Sequence, residues 1–217
     1  MQVLICSDWQ AVLFFSFFFC VAISFLYLCK MDLKSQKKEL RKKIREQKRL
    51  FPREENLLQS REIFSHIEES PLFNAANIVL LYWSMDDEVS THDFILKWYK
   101  TKVILLPCVV GDDLVLRRFE GLDSMVAGEQ FGIAEPVGCV FEDYDKIDLM
   151  IIPGVAFDAC FHRMGRGRGF YDRLLSLADS KKMGICFDFQ LVDKVPVEQF
   201  DVAMDCVVSK NGFVKHE

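Results

Sequence analysis

Short apolar runs of strand length recur along this chain and alternate with segments of helical period. That alternation restricts the fold more than any other feature. The runs are Asn77–Trp83, Lys102–Pro107, Leu114–Phe119, Asp148–Ile152, Met183–Phe187 and Asp201–Val208. Most are apolar along their length instead of at every second residue, as strands covered on both faces are. Between them, residues 33–51 place Leu33, Leu40, Ile44 and Phe51 on one helical face, with Lys, Arg, Glu and Gln on the other. A second helix is expected from Arg53 to Glu69, with Leu57, Phe64 and Ile67 inward and Ser70-Pro71 as its break. Further helices are expected over Thr91–Lys100, with Ser90 or Thr91 as N-cap, and over Phe170–Leu177. A chain of 217 residues is enough for one sizeable domain and short for two. The expectation is a single three-layer α/β domain with a mixed, mostly parallel sheet flanked by helices.

Residues 1–30 stand outside that pattern. Residues 9–29 carry no charge, and Ala11 to Cys29 is nearly all apolar. About 20 such residues can span a bilayer as a helix. Asp8 and the lack of a basic segment before the run argue against a secretory leader. Lys30, Lys34, Lys37 and Lys38 follow it, which would leave the remainder on the cytoplasmic side. The competing reading takes Met31-Asp32-Leu33-Lys34-Ser35 as the natural start and residues 1–30 as an upstream extension. Both readings put the domain of residues 31–217 in the cytoplasm, with membrane contact confined to residues 11–29 if that segment is an anchor.

The net charge of −5 argues against a general nucleic-acid binder but excludes no small anionic ligand. The eight cysteines, Cys6, Cys20, Cys29, Cys108, Cys139, Cys160, Cys186 and Cys206, form no CxxC pair. No His stands at a familiar zinc-ligand spacing beside one, so no zinc site is expected. They read as small buried apolar residues in a reducing compartment.

The chemistry concentrates in one stretch. Pro153-Gly154-Val155-Ala156-Phe157-Asp158 follows an apolar strand, and Arg163-Met164-Gly165-Arg166-Gly167-Arg168-Gly169-Phe170-Tyr171-Asp172-Arg173 leads into a helix. Gly165, Gly167 and Gly169 let the backbone turn tightly and present N–H groups to an anion. The helix that follows adds its N-terminal partial charge. Arg163, Arg166 and Arg168 can grip phosphate oxygens bidentately. Asp172 could hold a magnesium ion bridging phosphates. No GKS or GKT follows, so this is not a Walker A loop. A surface loop or an Arg–Gly RNA-binding segment remain alternatives on these residues alone.

PGVAFD followed by RMGRGRGFYDR resembles the signature of the 5-formyltetrahydrofolate cyclo-ligases. The resemblance runs over most of residues 35–210. It takes in Lys37-Lys38-Glu39-Leu40-Arg41, Asp87-Glu88-Val89-Ser90-Thr91, Phe131-Gly132-Ile133-Ala134-Glu135-Pro136, and Gln190-Leu191-Val192 with Val195-Pro196-Val197. It implies a Rossmann-like sheet of cyclo-ligase type and ATP-dependent closure of 5-formyltetrahydrofolate to 5,10-methenyltetrahydrofolate. It further implies ATP as co-substrate and Mg2+ as cofactor; a monomer without a nucleic-acid partner is expected. Carried over residue by residue, Lys37 and Arg41 match contacts to nucleotide phosphates, and Glu88 matches the folate site. Arg163, Gly165, Arg166, Gly167, Arg168, Gly169, Phe170 and Tyr171 match the ATP loop. Within that loop Phe170 and Tyr171 also approach the substrate, and Arg166 and Tyr171 are the implied catalytic pair. Asp172 and Asp205 match magnesium ligands. Asp205 is expected inside an apolar strand, where a carboxylate needs a partner or a metal. One departure stands out: the family pattern has a glycine where Phe161 stands, so a strained positive φ is expected there. That departure supports one rival to the enzyme, a catalytically weak folate-binding member; the basic helix from Lys34 to Arg49 and the Arg–Gly loop support another, an RNA- or anion-binding module.

Overall fold

The computed structural model describes residues 32–128 and 132–216. The apolar stretch at residues 11–29, read above as an anchor or an extension, therefore lies outside the described residues. Among the described residues no helix is long and apolar enough to cross a membrane.

Five helices are described: α1 over residues 32–50, α2 over Arg53–Glu69, α3 over Pro71–Ala75, α4 over His92–Trp98 and α5 over Phe170–Leu175. The strands are β1 Ile78–Leu80, β2 Val103–Val110, β3 Asp113–Arg118, β4 Met125–Ala127, β5 Ala134–Pro136, β6 Val140–Phe141, β7 Leu149–Pro153, β8 Ala156–Phe157, β9 Arg163–Met164, β10 Lys181–Ile185, β11 Cys206–Ser209 and β12 Gly212–Phe213. Eight of them form one sheet in the order β12-β11-β10-β7-β1-β2-β3-β6. Its centre, from β11 to β2, is parallel, and β12, β3 and β6 join antiparallel at the two edges. The expected three-layer, mostly parallel architecture is the one observed.

Successive side chains of a strand face opposite ways, so each apolar run serves two cores. Val79, Ile104, Leu106, Leu149, Ile151, Met183 and Ile185 face α2, α3 and α4. Leu80, Leu105, Met150, Ile152 and Val207 face α5 through Leu174 and Leu175. A third, smaller core joins α1, through Ile44 and Leu40, to Ala156 and Met164 of the β8–β9 hairpin.

Several details differ from the sequence reading. Leu57 is 38% exposed, and Asn56 takes the inward position instead. The buried residues of α2 are Asn56, Gln59, Ser60, Ile63, Phe64 and Ile67, an i, i+3, i+4, i+7, i+8, i+11 stripe. Ser70-Pro71 ends α2 but also starts α3: the Ser70 hydroxyl accepts from the N–H groups of Leu72 and Phe73, with Pro71 at the first helical position. Thr91 stands at the N-cap of α4 without capping it. Its hydroxyl donates to the Tyr82 carbonyl at 2.6 Å and so ties down the segment after β1. The last expected strand is shorter than predicted: β11 begins at Cys206, leaving Asp205 exposed and outside the sheet. Phe161 does adopt φ +62, the only positive φ at a non-glycine residue among those described. Cys108 and Cys186 are buried as expected, whereas Cys139 and Cys160 are exposed.

Candidate active site

β1 lies at the point where the strand order reverses, with β2 on one side and β7, then β10 and β11, on the other. Loops leaving the carboxyl ends of such strands diverge and open a crevice. A cleft of about 310 Å³ occupies this crevice, floored by Tyr82 and Trp83 after β1 and by Pro153, Gly154 and Val155 at the end of β7. One wall is apolar: Trp83, Met85, Pro107, Val109, Leu114 and Ile133. The other is the basic, glycine-rich stretch, Arg163 and Gly165 to Asp172.

The β8–β9 hairpin and α1 hold the basic wall. Arg163 is buried at the end of the hairpin, and its guanidinium donates to Asp172 Oδ1 at 2.7 Å. A Cβ on Gly165 would stand 3.0 Å from Arg163 Nη1, so a larger residue there would push the guanidinium aside. Gly167 and Gly169 sit at φ +104 and +70, the latter at the N-cap of α5. Arg41 reaches across from α1, and its Nε donates to the Gly165 carbonyl at 2.9 Å. Arg163 Nε is buried without a hydrogen-bond partner among the described residues. Such an orphaned donor calls for an acceptor.

An acidic loop closes the rim. Arg166 donates to Asp87 Oδ1 and Glu88 Oε1, both at 3.0 Å, and Lys48 donates to Asp87 at 3.2 Å. Asn56 holds the loop from below through the carbonyls of Asp86 and Glu88. Burial works against the charge on Arg166, but Glu88 and Asp87 outweigh it and raise its pKa. Burial likewise opposes the Asp87 carboxylate, and Lys48 and Arg166 outweigh it, so its pKa falls. For Lys48 burial wins over Asp87 and Glu88, and its pKa is lowered. Burial, with Glu88 adding to it, pushes the Tyr171 phenol far up. Tyr171 is therefore protonated, a hydrogen-bond donor and apolar surface and not a base. Phe170 packs beneath the guanidinium groups of Arg168 and Arg173 at 5.9 and 5.4 Å from its ring centre.

The structure thus brings together Glu88, Arg163, Gly165, Arg166, Gly167, Arg168, Gly169, Phe170, Tyr171 and Asp172 around one cleft, with Arg41 behind it. It does not bring Lys37 or Asp205 there. Lys37 is buried, with its ammonium bonded to Glu198 at 2.7 Å and Asp201 at 2.6 Å. Asp205 pairs with Lys181 at 3.1 Å and accepts the Lys182 N–H at 2.8 Å, at the amino end of β10. Lys48, Asn56 and, as a site residue, Asp87 were not singled out by sequence. Lys48 stands among the many charges of α1 and nothing local distinguishes it. Glu135, within a motif shared with the family, also lines the cleft and accepts the Val109 N–H at 3.1 Å.

Residues 33–210 match the 5-formyltetrahydrofolate cyclo-ligase family. The 5-formyltetrahydrofolate cyclo-ligase of Escherichia coli K12 is 29% identical over 175 residues, 76% of this chain and 96% of that protein. A probable 5-formyltetrahydrofolate cyclo-ligase of Schizosaccharomyces pombe is 29% identical over 178 residues, 73% of this chain and 87% of that one. Among solved structures, the 5,10-methenyltetrahydrofolate synthetase of Aquifex aeolicus superposes with a TM-score of 0.76 at 32% identity, covering 82% of this chain and 92% of that one.

Proposed function

The chain belongs to the 5-formyltetrahydrofolate cyclo-ligase family, and we propose how its own residues divide the work of that family's reaction. The enzyme is a ligase that closes 5-formyltetrahydrofolate to 5,10-methenyltetrahydrofolate with ATP as co-substrate. The formyl oxygen attacks the γ-phosphate and ADP leaves. The activated formyl carbon is then attacked by N10, and phosphate departs. The observation that carries this assignment is the two-faced cleft, apolar on one wall and lined by arginines and glycine backbone on the other. The planar pterin suits the wall of Trp83, Leu114 and Ile133, and the triphosphate suits the loop from Gly165 to Gly169.

Phosphoryl transfer asks chiefly for positioning and charge neutralisation. Arg166 supplies a charge on the basic wall, and Glu88 with Asp87 holds its guanidinium in place at the rim. Arg163, locked by Asp172, adds a fixed positive charge to the wall of the cleft. Tyr171 donates its phenolic proton as a hydrogen bond, and Phe170 closes the substrate side. Arg41 buttresses the loop through Gly165.

Asp172 fits a magnesium ion: it is a carboxylate that lines the cleft, and its bond to Arg163 is made through Oδ1. Magnesium takes one or two carboxylates, substrate phosphates and waters, and when bound beside Asp172 it would neutralise phosphate charge. Asp205 is left out of this site because it lies at the far end of the strands.

The rival RNA-binding reading needs exposed, available arginines, yet Arg163 is buried and Arg166 is paired with two carboxylates. The test is an absorbance assay for the methenyl product with 5-formyltetrahydrofolate, ATP and magnesium. Product formation that requires both ATP and magnesium is the expected result. Tight folate binding without product would assign the chain to the weak, folate-binding reading that Phe161 suggests.

A further inference from the structure

The turn between β8 and β9 carries a cluster of ligand-type side chains that the reaction does not use. Asp158, Cys160 and His162 each offer one ligand atom, and those atoms lie within 4.8 Å of one another. None of the three lines the cleft. We propose that they form a binding site for a divalent transition-metal ion of zinc type, with a fourth position left to water.

The donor set is the first reason. A carboxylate oxygen, a thiolate sulfur and an imidazole nitrogen together suit a borderline-soft ion and not magnesium or calcium, which prefer oxygen alone. Carboxylate and thiolate also balance the double positive charge. The geometry is the second. Bonds of about 2.0–2.3 Å to a tetrahedral ion put neighbouring ligand atoms roughly 3.3–3.6 Å apart. His162 Nδ1 and Asp158 Oδ2 are already 3.1 Å apart. Cys160 is exposed, so its thiol can close the remaining gap by rotating between staggered positions.

The anchor is preorganised. Asp158 is buried, and its Oδ1 accepts the backbone N–H groups of Cys160 and His162 at 3.1 and 2.9 Å. Its Oδ2 accepts the Val195 N–H at 2.9 Å as well as facing the His162 ring. An ion at Oδ2 takes the place of the imidazole N–H and leaves the Val195 bond intact. Outer hydrogen bonds of this kind fix a ligating carboxylate. The chain reverses at Phe161, φ +62, which sets residues 160 and 162 on the same small turn. Binding releases the thiol proton to solvent and changes no oxidation state.

The test is a titration of Co2+ into the metal-free full-length protein, following the thiolate-to-cobalt charge-transfer band. We expect saturation at a single equivalent and displacement by Zn2+. The band should disappear in Cys160→Ser and persist in Cys139→Ser, which changes the other exposed cysteine among the described residues. His162→Ala should weaken binding by about tenfold or more. Both changes lie on an exposed turn, and circular dichroism confirms that the variants remain folded. Absence of the band in the folded protein, its survival in Cys160→Ser, or unchanged affinity in His162→Ala would overturn the site.

Discussion

The two ends of the same parallel strands carry carboxylates of the same kind and put them to different uses. At the amino end, Asp148 accepts the N–H groups of Asn77 and Ile78 at 2.8 and 2.9 Å, just before and at the start of β1. Asp205 does the same for Lys182 in β10 and pairs with Lys181. At the carboxyl end, Glu88, Asp87 and Asp172 face Arg166 and Arg163 around the cleft. Strand starts expose unpaired N–H groups, and a carboxylate there fastens the sheet. Where loops diverge beyond strand ends, the same group is left to orient arginines toward a ligand.

That contrast can be broken most directly at Arg166. Arg166→Ala should lower kcat/KM by roughly 10²–10³-fold, the scale of losing one donor aimed at developing charge. The guanidinium is half exposed, so urea denaturation should show a change within about 1 kcal/mol. A large loss of stability with little loss of turnover would make the cleft end as structural as the amino end.

Asp172→Asn tests a residue with both duties. Turnover should fall along with magnesium dependence. Because Arg163 is buried and loses its countercharge, stability should drop by about 3 kcal/mol, read from the urea midpoint. The amino-end carboxylates sharpen the comparison from the other side. Asp148→Ala should cost about 1–3 kcal/mol of stability by leaving two backbone donors without their acceptor, and leave kcat unchanged. Asp205→Asn should cost about 0.5–1 kcal/mol and leave the magnesium titration of the rate as it was. A shifted magnesium titration in Asp205→Asn would return that residue to the metal site.

The smallest effect is in pH. The folded pKa of Asp87 is depressed, so its contribution to stability is present above the usual carboxylate value, about 3.9, and is lost as pH falls through the folded value. Asp87→Asn should therefore flatten the acid limb of stability against pH and leave the curve between about pH 5 and 8 parallel to the original.

Much of this was legible in the chain. Strands apolar along their length announced a sheet covered on both faces, and the glycines and arginines from Arg163 to Gly169 announced an anion site before a helix. The strain at Phe161 was legible too, because its neighbours match a pattern with glycine there. What escaped was whatever depends on distance across the fold. Lys48 looks like any other lysine on a charged helical face until Asp87 arrives from 39 residues away. Asn56 looks like a surface residue until the acidic loop descends on it. Cys160 and His162 match no familiar ligand spacing until a left-handed turn folds them onto Asp158.

By itself the sequence determined six strands of the main sheet and their alternation with helices, the two-sided burial of that sheet and the residue types of the phosphate-gripping loop, because periodicity and local turn chemistry act over a few residues. Only the tertiary structure decided which charges meet. It sent Lys37 to Glu198 and Asp201, Asp205 to the amino end of β10, and Arg166 to the acidic rim of the cleft. Electrostatic pairing acts through space at a few ångströms, and residues that far apart along the chain come within that range only once the sheet has formed.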